Sequence, residues 1–190
     1  MIVLASASPR RQQLLDMLGI EYEVDPAEID ERPELGELPE ALAVRLARAK
    51  AVKVAQRHSG VPVLAADTLV VIDGIILGKP SSDVEAARML GMLSGRQHRV
   101  VTAVALARGG ETRELCDVTK VWFRSFDEEF IKEYVATGEP LDKAGSYAVQ
   151  GRGAVLVRRI EGDFFGVMGL PIRLVISLLD AAGLPYRFTR

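Results

Sequence analysis

Apolar and polar positions follow two periods along this chain, and each change of period marks a new element. Ile2-Val3-Leu4-Ala5 is a short unbroken apolar run, as expected of a strand buried on both faces. From Ser8 to Leu18 the spacing becomes helical, with Leu14, Leu15 and Leu18 on one face and Gly19 beyond the last turn. Tyr22 to Val24 predicts a short strand. Asp25 to Pro39 is acidic, holds three prolines and has no period, so it predicts a surface loop long enough to carry function. A helix over 40–57 shows an apolar stripe through Leu42, Ala43, Leu46, Ala47, Ala51 and Val54, with Lys50 inside it. Residues 61–71 are strand-like, and Ile72-Asp73-Gly74-Ile75 signals a two-residue hairpin returning through Ile76 and Leu77 to Gly78-Lys79-Pro80.

Beyond the hairpin, a helix over 83–93 presents Ala86, Ala87, Met89, Leu90 and Leu93 and is closed by Gly95. Strands are expected over 98–107 and 113–123, separated by Gly109-Gly110. Ser125 and Glu128 have the spacing of a capping box for a helix reaching Thr137. Gly138 to Gly153 predicts a glycine-rich loop. Residues 154–160 and 164–168 read as a hairpin around Glu161-Gly162-Asp163, and a last helix covers 171–182. Interleaved strands and helices make the class α/β with a mixed sheet, and no repeat or linker divides residues 1–190.

The 190 residues, 48% hydrophobic and 26% charged, suffice for one globular domain with a substantial core, which can be bilobed. A net charge of −2 argues against general attraction to nucleic acid or to an anionic membrane, so basic clusters must be explained as sites. Cys116 is the single cysteine. It cannot form an intramolecular disulfide, favours a reducing compartment, and reads as strand packing. No targeting segment or membrane-length apolar run is visible, and the expected location is cytoplasmic.

Several residues break their local pattern. In Ser6-Ala7-Ser8-Pro9-Arg10-Arg11, Ser8 suits an N-cap and Pro9 the first helical position. Arg10 and Arg11 then occupy a first turn where the helix dipole favours acids, so an anion such as phosphate is the natural partner; a solvated basic helix start is the alternative. Asp67 sits within Val63-Leu64-Ala65-Ala66 and Leu69-Val70-Val71-Ile72. A carboxylate there must be paired, protonated or metal-bound, unless it faces water at a strand edge. Beside phosphates, Mg²⁺ fits such a carboxylate. Thr68 faces the other side of a regular strand.

Lys50 either snorkels or serves the site, whereas Lys79, between Gly78 and Pro80, is better placed to present a fixed cation. Gly78-Lys79 is no Walker A loop, because Gly74 is one residue too close and Pro80 replaces the Ser or Thr; Gly151-Arg152-Gly153 lacks the third glycine of a dinucleotide fingerprint. His58 reads as helix-end surface and His98 as a strand start, so carboxylates must carry any acid/base work. Asp30-Glu31 is a second acidic pair, or a solvated face. In the 141–151 loop Tyr147 can pack or stack, and Gln150 offers both donor and acceptor to a base edge.

In the same order along the chain, Ser6-Ala7-Ser8-Pro9-Arg10-Arg11, Ala66-Asp67-Thr68, Gly78-Lys79-Pro80, Ser94-Gly95 with His98, Asp142-Lys143-Ala144-Gly145, Gln150-Gly151 and Gly169-Leu170-Pro171 resemble the Maf family of nucleotide pyrophosphatases. The resemblance implies an elongated α/β fold with a cleft between two lobes, similar to the inosine triphosphatases. It implies metal-dependent cleavage of a nucleoside triphosphate between the α and β phosphates, with Asp67 as catalytic carboxylate and Ser8, Arg10, Arg11, Glu31, Lys50, Lys79 and Gln150 as further site residues. Arg10-Arg11, Asp67-Thr68 and Gln150-Gly151 are similar to the branch acting on dTTP and UTP; the 7-methyl-GTP branch has an aromatic before the arginines, Asp-Gln and Glu-Gly. Ala49 departs from the Glu that many members carry before the helix lysine.

The mechanism expected from this resemblance has Mg²⁺ or Mn²⁺ held by Asp67 with Glu31, Asp67 as general base, and Arg10, Arg11, Lys50 and Lys79 offsetting phosphate charge. Thr68 and Gln150 are expected to set base choice. A homodimer is one open assembly. Two rival readings stand beside it: a nucleotide-binding regulator of cell division that does not hydrolyse its ligand, and a 7-methyl-GTP pyrophosphatase.

Overall fold

The computed structural model describes residues 1–188. In chain order its elements are β1 (Ile2–Leu4), α1 (Pro9–Met17), β2 (Tyr22–Val24), α2 (Pro39–Ala55), β3 (Val63–Ile72), β4 (Ile75–Leu77), α3 (Asp83–Leu93), β5 (Gln97–Arg108), β6 (Glu111–Phe123), α4 (Glu128–Ala136), β7 (Val157–Glu161), α5 (Phe164–Met168) and α6 (Ile172–Ala181). The seven strands form one mixed sheet in the order β2-β1-β3-β5-β6-β7, with β4 paired to β3. Contacts along the chain group into two compact units: Met1–Asp67, Thr102–Asp117 and Gly169 onward in the first, Thr68–Val101 and Val118–Met168 in the second.

The first unit is built on parallel pairing. β1 lies parallel to β2, with Ile2 opposite Tyr22, and to β3, with Val3 opposite Val63 and Leu4 opposite Leu64. Parallel strands need crossover connections, and α1 and α2 supply them. Ile2–Ala5 and Val63–Ala66 are apolar at every position and all buried, as parallel strands covered on both faces require. α2 starts at Pro39, whose missing N–H costs nothing in a first turn, and buries Leu42, Ala43, Leu46, Ala47, Ala51 and Val54 together with Lys50. α6 contributes buried Leu174, Val175, Leu178 and Leu179.

The second unit gathers a core of Val70, Ile72, Leu77, Met89, Leu90, Leu93, Val100, Val121, Phe123, Ile131, Val135 and Leu156 with Tyr134 and Tyr147. Its β3–β4 hairpin pairs Ile72 with Ile75, and Asp73 (φ 51°) and Gly74 (φ 78°) take the positive φ values that a type I′ turn requires. On β6, buried Val121 and Phe123 alternate with more exposed neighbours, and the strand runs antiparallel to β7 with a register shift between Trp122 and Phe123. Gly145 is the tight point. It has φ +67°, and a Cβ there would lie 2.8 Å from both γ-methyls of Val70.

Four local expectations are corrected. Phe164–Met168 is a helical turn, because the Asp163 carboxylate accepts the Gly166 N–H at 3.0 Å and so caps it; a largely apolar run of only five residues is ambiguous by period alone. Residues 152–156 form a 3₁₀ turn, leaving only Val157–Glu161 as strand, paired to β6. The N-cap of α4 is Asp127, which accepts from Phe130 N–H at 2.9 Å, in place of Ser125, whose hydroxyl lies against Gly95. Cys116 is exposed on β6 and packs no core. Replacement of Gly145 by Ala should lower stability by about 1–3 kcal/mol of overpacking beyond the about 1–2 kcal/mol of left-handed backbone strain. Gly183, φ +72° with open space around it, supplies the control: its Ala variant should show the backbone part alone in urea unfolding.

Candidate active site

Asp67 ends the first-unit stretch of β3 and is 6% exposed. Its compensation comes from α2: the Lys50 ammonium donates to Asp67 Oδ1 at 2.6 Å. The same Nζ lies 2.6 Å from Glu31 Oε1 on the 25–38 loop. Lys50 therefore does not snorkel to water; it is buried between two carboxylates whose oxygens converge on one point. Asp30, beside Glu31, instead forms a forked pair with Arg32 and takes no part.

The loop that presents Glu31 is strapped to α2. Arg45 donates to Glu37 through Nε and Nη2, each at 2.7 Å, and to the Arg32 carbonyl at 3.1 Å. Lys53 reaches the Glu28 carbonyl, while Arg57 and His58 both hold Asp25. Hydrogen bonds from His58 and Arg57 hold the Asp25 carboxyl below the ordinary range. Lys53 lies three residues beyond Lys50, on the same helix face, while Arg45 reaches the loop from another face and Arg57 and His58 from beyond the helix end at Ala55; together they hold a proline-rich segment without regular structure and with it Glu31.

Ser8 is the N-cap residue of α1, but its hydroxyl makes no capping bond; its N–H donates to Ser6 Oγ at 3.3 Å. Arg11 is half-buried and tied inward, with Nη1 on Ser6 Oγ and Nε on the Gly169 carbonyl, both at 2.9 Å. Burial lowers its pKa from the ordinary arginine value. The charges of Asp67 and Glu31 oppose that fall and that of Arg10 adds to it, so these side chains share one electrostatic neighbourhood. A solvated helix start does not describe Arg11. Ser6 positions Arg11, a role visible in the sequence only as a second hydroxyl before the helix.

The remaining predicted site residues belong to the second unit, whose boundary falls between Asp67 and Thr68. Thr68 is half-buried, and Lys79 and Gln150 are exposed. Tyr147 is buried, its hydroxyl 2.9 Å from His98 Nε2, with both rings edge-on to Phe123. Burial pushes His98 down to about 3, which keeps it neutral and unsuited to proton transfer at neutral pH. Among the described residues no three His, Cys, Asp or Glu side chains gather as a metal site, and no helix is long and apolar enough to cross a membrane. Glu139, without periodicity or motif to mark it in the sequence, accepts three hydrogen bonds close to Gln150.

The sequence model of the family described as Maf-like protein matches residues 1–182. The chain belongs to the Maf family. Its relatives include proteins named dTTP/UTP pyrophosphatase from Symbiobacterium thermophilum, 48% identical over 97% of this chain and 95% of the relative, and from Syntrophomonas wolfei, 49% identical over 95% and 96%. A third, from Myxococcus xanthus, is 51% identical over 97% and 94%. Among solved structures, this Maf chain is similar to the Ham1 protein of Staphylococcus aureus, with a TM-score of 0.51 and 15% identity, and to a HAM1 protein from Coxiella burnetii, with 0.52 and 18%. Each match covers 95% of this chain and 98% of the other, and shows a shared fold.

In this Maf chain the Lys50–Asp67 pair has a direct stability signature. Lys50→Met removes the hydrogen-bonded partner of the buried carboxylate and should cost about 3–5 kcal/mol, whereas Glu31→Gln, at a side chain 58% exposed, should cost less than about 1 kcal/mol. Urea midpoints of the two variants and of Lys50→Met with Asp67→Asn check this, the double variant recovering part of the loss.

Proposed function

We propose that this chain hydrolyses dTTP and UTP to the monophosphate and pyrophosphate. The observation that carries the reading is the Arg10, Arg11, Lys50, Asp67 and Glu31 cluster, in a Maf chain whose nearly full-length relatives at 48–51% identity bear that activity in their names. Cationic groups at an uncapped helix start suit a triphosphate, because phosphate oxygens accept several charge-assisted hydrogen bonds at once.

In the mechanism, the Asp67 carboxylate takes a proton from a water as its oxygen bonds to the α phosphorus. The bond from that phosphorus to the α–β bridging oxygen breaks, and pyrophosphate leaves with the electron pair. Arg10, Arg11, Lys50 and Lys79 offset the charge on the phosphates. Asp67 and Glu31 fit a divalent ion, since Mg²⁺ takes one or two carboxylates and completes its shell with phosphate oxygens and water. Such an ion, Mg²⁺ or Mn²⁺, would supply charge neutralisation and a more acidic water when bound. Lys50 then acts as the counter-ion of both carboxylates until a cation engages them or a phosphate draws the ammonium away.

Base choice falls to Thr68 and Gln150. A glutamine presents donor and acceptor together to a pyrimidine edge, and a glutamate only accepts. The reading includes action in the cytoplasm, without nucleic acid, in keeping with one cysteine and a net charge of −2. Asp67→Asn should reduce pyrophosphate release by roughly 10²–10⁴-fold in a chain that still folds. Near-normal turnover by that variant would end the catalytic assignment. Across dTTP, UTP, CTP, GTP and 7-methyl-GTP with Mg²⁺ or Mn²⁺, kcat/KM should be highest for dTTP and UTP, and Gln150→Glu should lower those two most. Binding without multiple-turnover pyrophosphate release would favour the regulator instead.

A further inference from the structure

Gln150 stands in a segment with little regular structure, and a single carboxylate supplies many of that segment's hydrogen bonds. Glu139 opens a 3₁₀ turn over Glu139–Asp142. Its Oε1 accepts from the Tyr134 hydroxyl at 2.7 Å and from the Gly153 N–H at 2.9 Å, and its Oε2 accepts from the Arg152 N–H at 2.9 Å. The Tyr134 hydroxyl in turn accepts from the Ala148 N–H at 3.3 Å. The backbone is thus held at Ala148 before Gln150 and at Arg152 and Gly153 after it. The approach is close enough that a Cβ on Gly151 would lie 2.3 Å from Glu139 Oε2, so a side chain there would displace the carboxylate. Lys143 donates to the Glu139 carbonyl at 2.8 Å and fixes the turn itself.

Bonds from N–H groups to a carboxylate are charge-assisted, about twice as strong as neutral ones. Burial alone would raise the Glu139 carboxyl, but the N–H groups of Gly153 and Arg152, the Tyr134 hydroxyl and the Lys143 charge outweigh it and hold it below the ordinary range. The clamp therefore stays ionised at neutral pH. Glu139 faces Tyr134, Arg152 and Gly153 and is committed to them.

We propose that Glu139, with Tyr134 as its relay to Ala148, is a positioning residue for base selection, fixing the backbone on both sides of Gln150 so that its amide meets the base in one place. This rests on the reading of Gln150 as the base-contacting residue. A site that discriminates by hydrogen bonds does so only while donor and acceptor are held in register with the ligand edge. Arg10, Arg11, Lys50 and Lys79 all lie outside the 148–153 stretch, so loosening that stretch acts on base recognition and leaves phosphate recognition in place.

The test compares the unmodified protein with Glu139→Gln, Tyr134→Phe and Gln150→Ala. Readouts are kcat and KM for dTTP, UTP and GTP, the inhibition constant of inorganic tripolyphosphate, and amide hydrogen exchange at Ala148, Arg152 and Gly153. Glu139→Gln keeps the size of the side chain and removes its charge. It should speed exchange at Arg152 and Gly153 by roughly tenfold or more, and raise KM for dTTP and UTP by about tenfold with kcat within about threefold. Tripolyphosphate inhibition should stay within about twofold. Tyr134→Phe should act in the same direction, chiefly on Ala148, and supplies the test should Glu139→Gln fail to fold. Unchanged exchange, or equal losses for dTTP and tripolyphosphate, would overturn the proposal. If Gln150→Ala keeps the preference for dTTP and UTP over GTP, the base reading fails and the positioning role falls with it, while faster exchange in Glu139→Gln would still show the clamp as a structural one.

Discussion

A carboxylate inside an apolar strand needs a counter-charge, and the first unit is arranged around meeting that need. Asp67 lies in β3 behind four fully buried residues and is itself buried, so an uncompensated charge would cost several kcal/mol, about 3–5 when one partner of a buried pair is removed. α2 answers it with Lys50, at a position that the apolar stripe of the helix would otherwise give to a leucine or alanine. The helix must dock in one rotation and one register for Nζ to reach Oδ1. The ion pair thereby ties the placement of α2 to the placement of β3, as well as bringing a cation and a carboxylate to one point.

Both irregular segments owe their shape to neighbouring side chains. The 25–38 loop is held to α2 by Arg45 and Lys53 and to the turn after it by Arg57, side chains that bond backbone carbonyls as well as acids. The loop around Gln150 is held by Glu139 and Tyr134, which bond backbone N–H groups. Cations collect carbonyls and a carboxylate collects amides, in each case doing for an irregular backbone what a ladder does for a strand. Loops held in this way keep the placement of a scaffold.

Much of this was legible in the residues alone, where a local rule was violated or a short-range signal dominated. Asp67 in its apolar run and Lys50 in its apolar stripe both stood out, and their pairing is the reason each is tolerated. Asp73-Gly74 predicted its hairpin, because a type I′ turn depends on little beyond those two residues. What escaped was decided at long range or by competition between short signals. Glu139 bonds residues 13 and 14 positions away, with no period to reveal it. Phe164–Met168 fits a strand by composition, and only the Asp163 cap decides for a helix. Arg11 was visible as a cation in the wrong turn, but its bonds to Ser6 and to the distant Gly169 carbonyl were not.

That last bond opens onto the order in which the molecule is made. Arg11 is joined to a carbonyl 158 residues downstream, and the first unit is assembled from three separated stretches, the last beginning at Gly169. A ribosome delivers residues from the N-terminus onward, so every part of the second unit emerges before α6 of the first. Until then Arg11 lacks the Gly169 carbonyl and the first unit lacks the buried Leu174, Val175, Leu178 and Leu179 of α6. Closure therefore comes late and through non-local pairings, the regime in which folding slows and transiently exposed apolar surface invites aggregation.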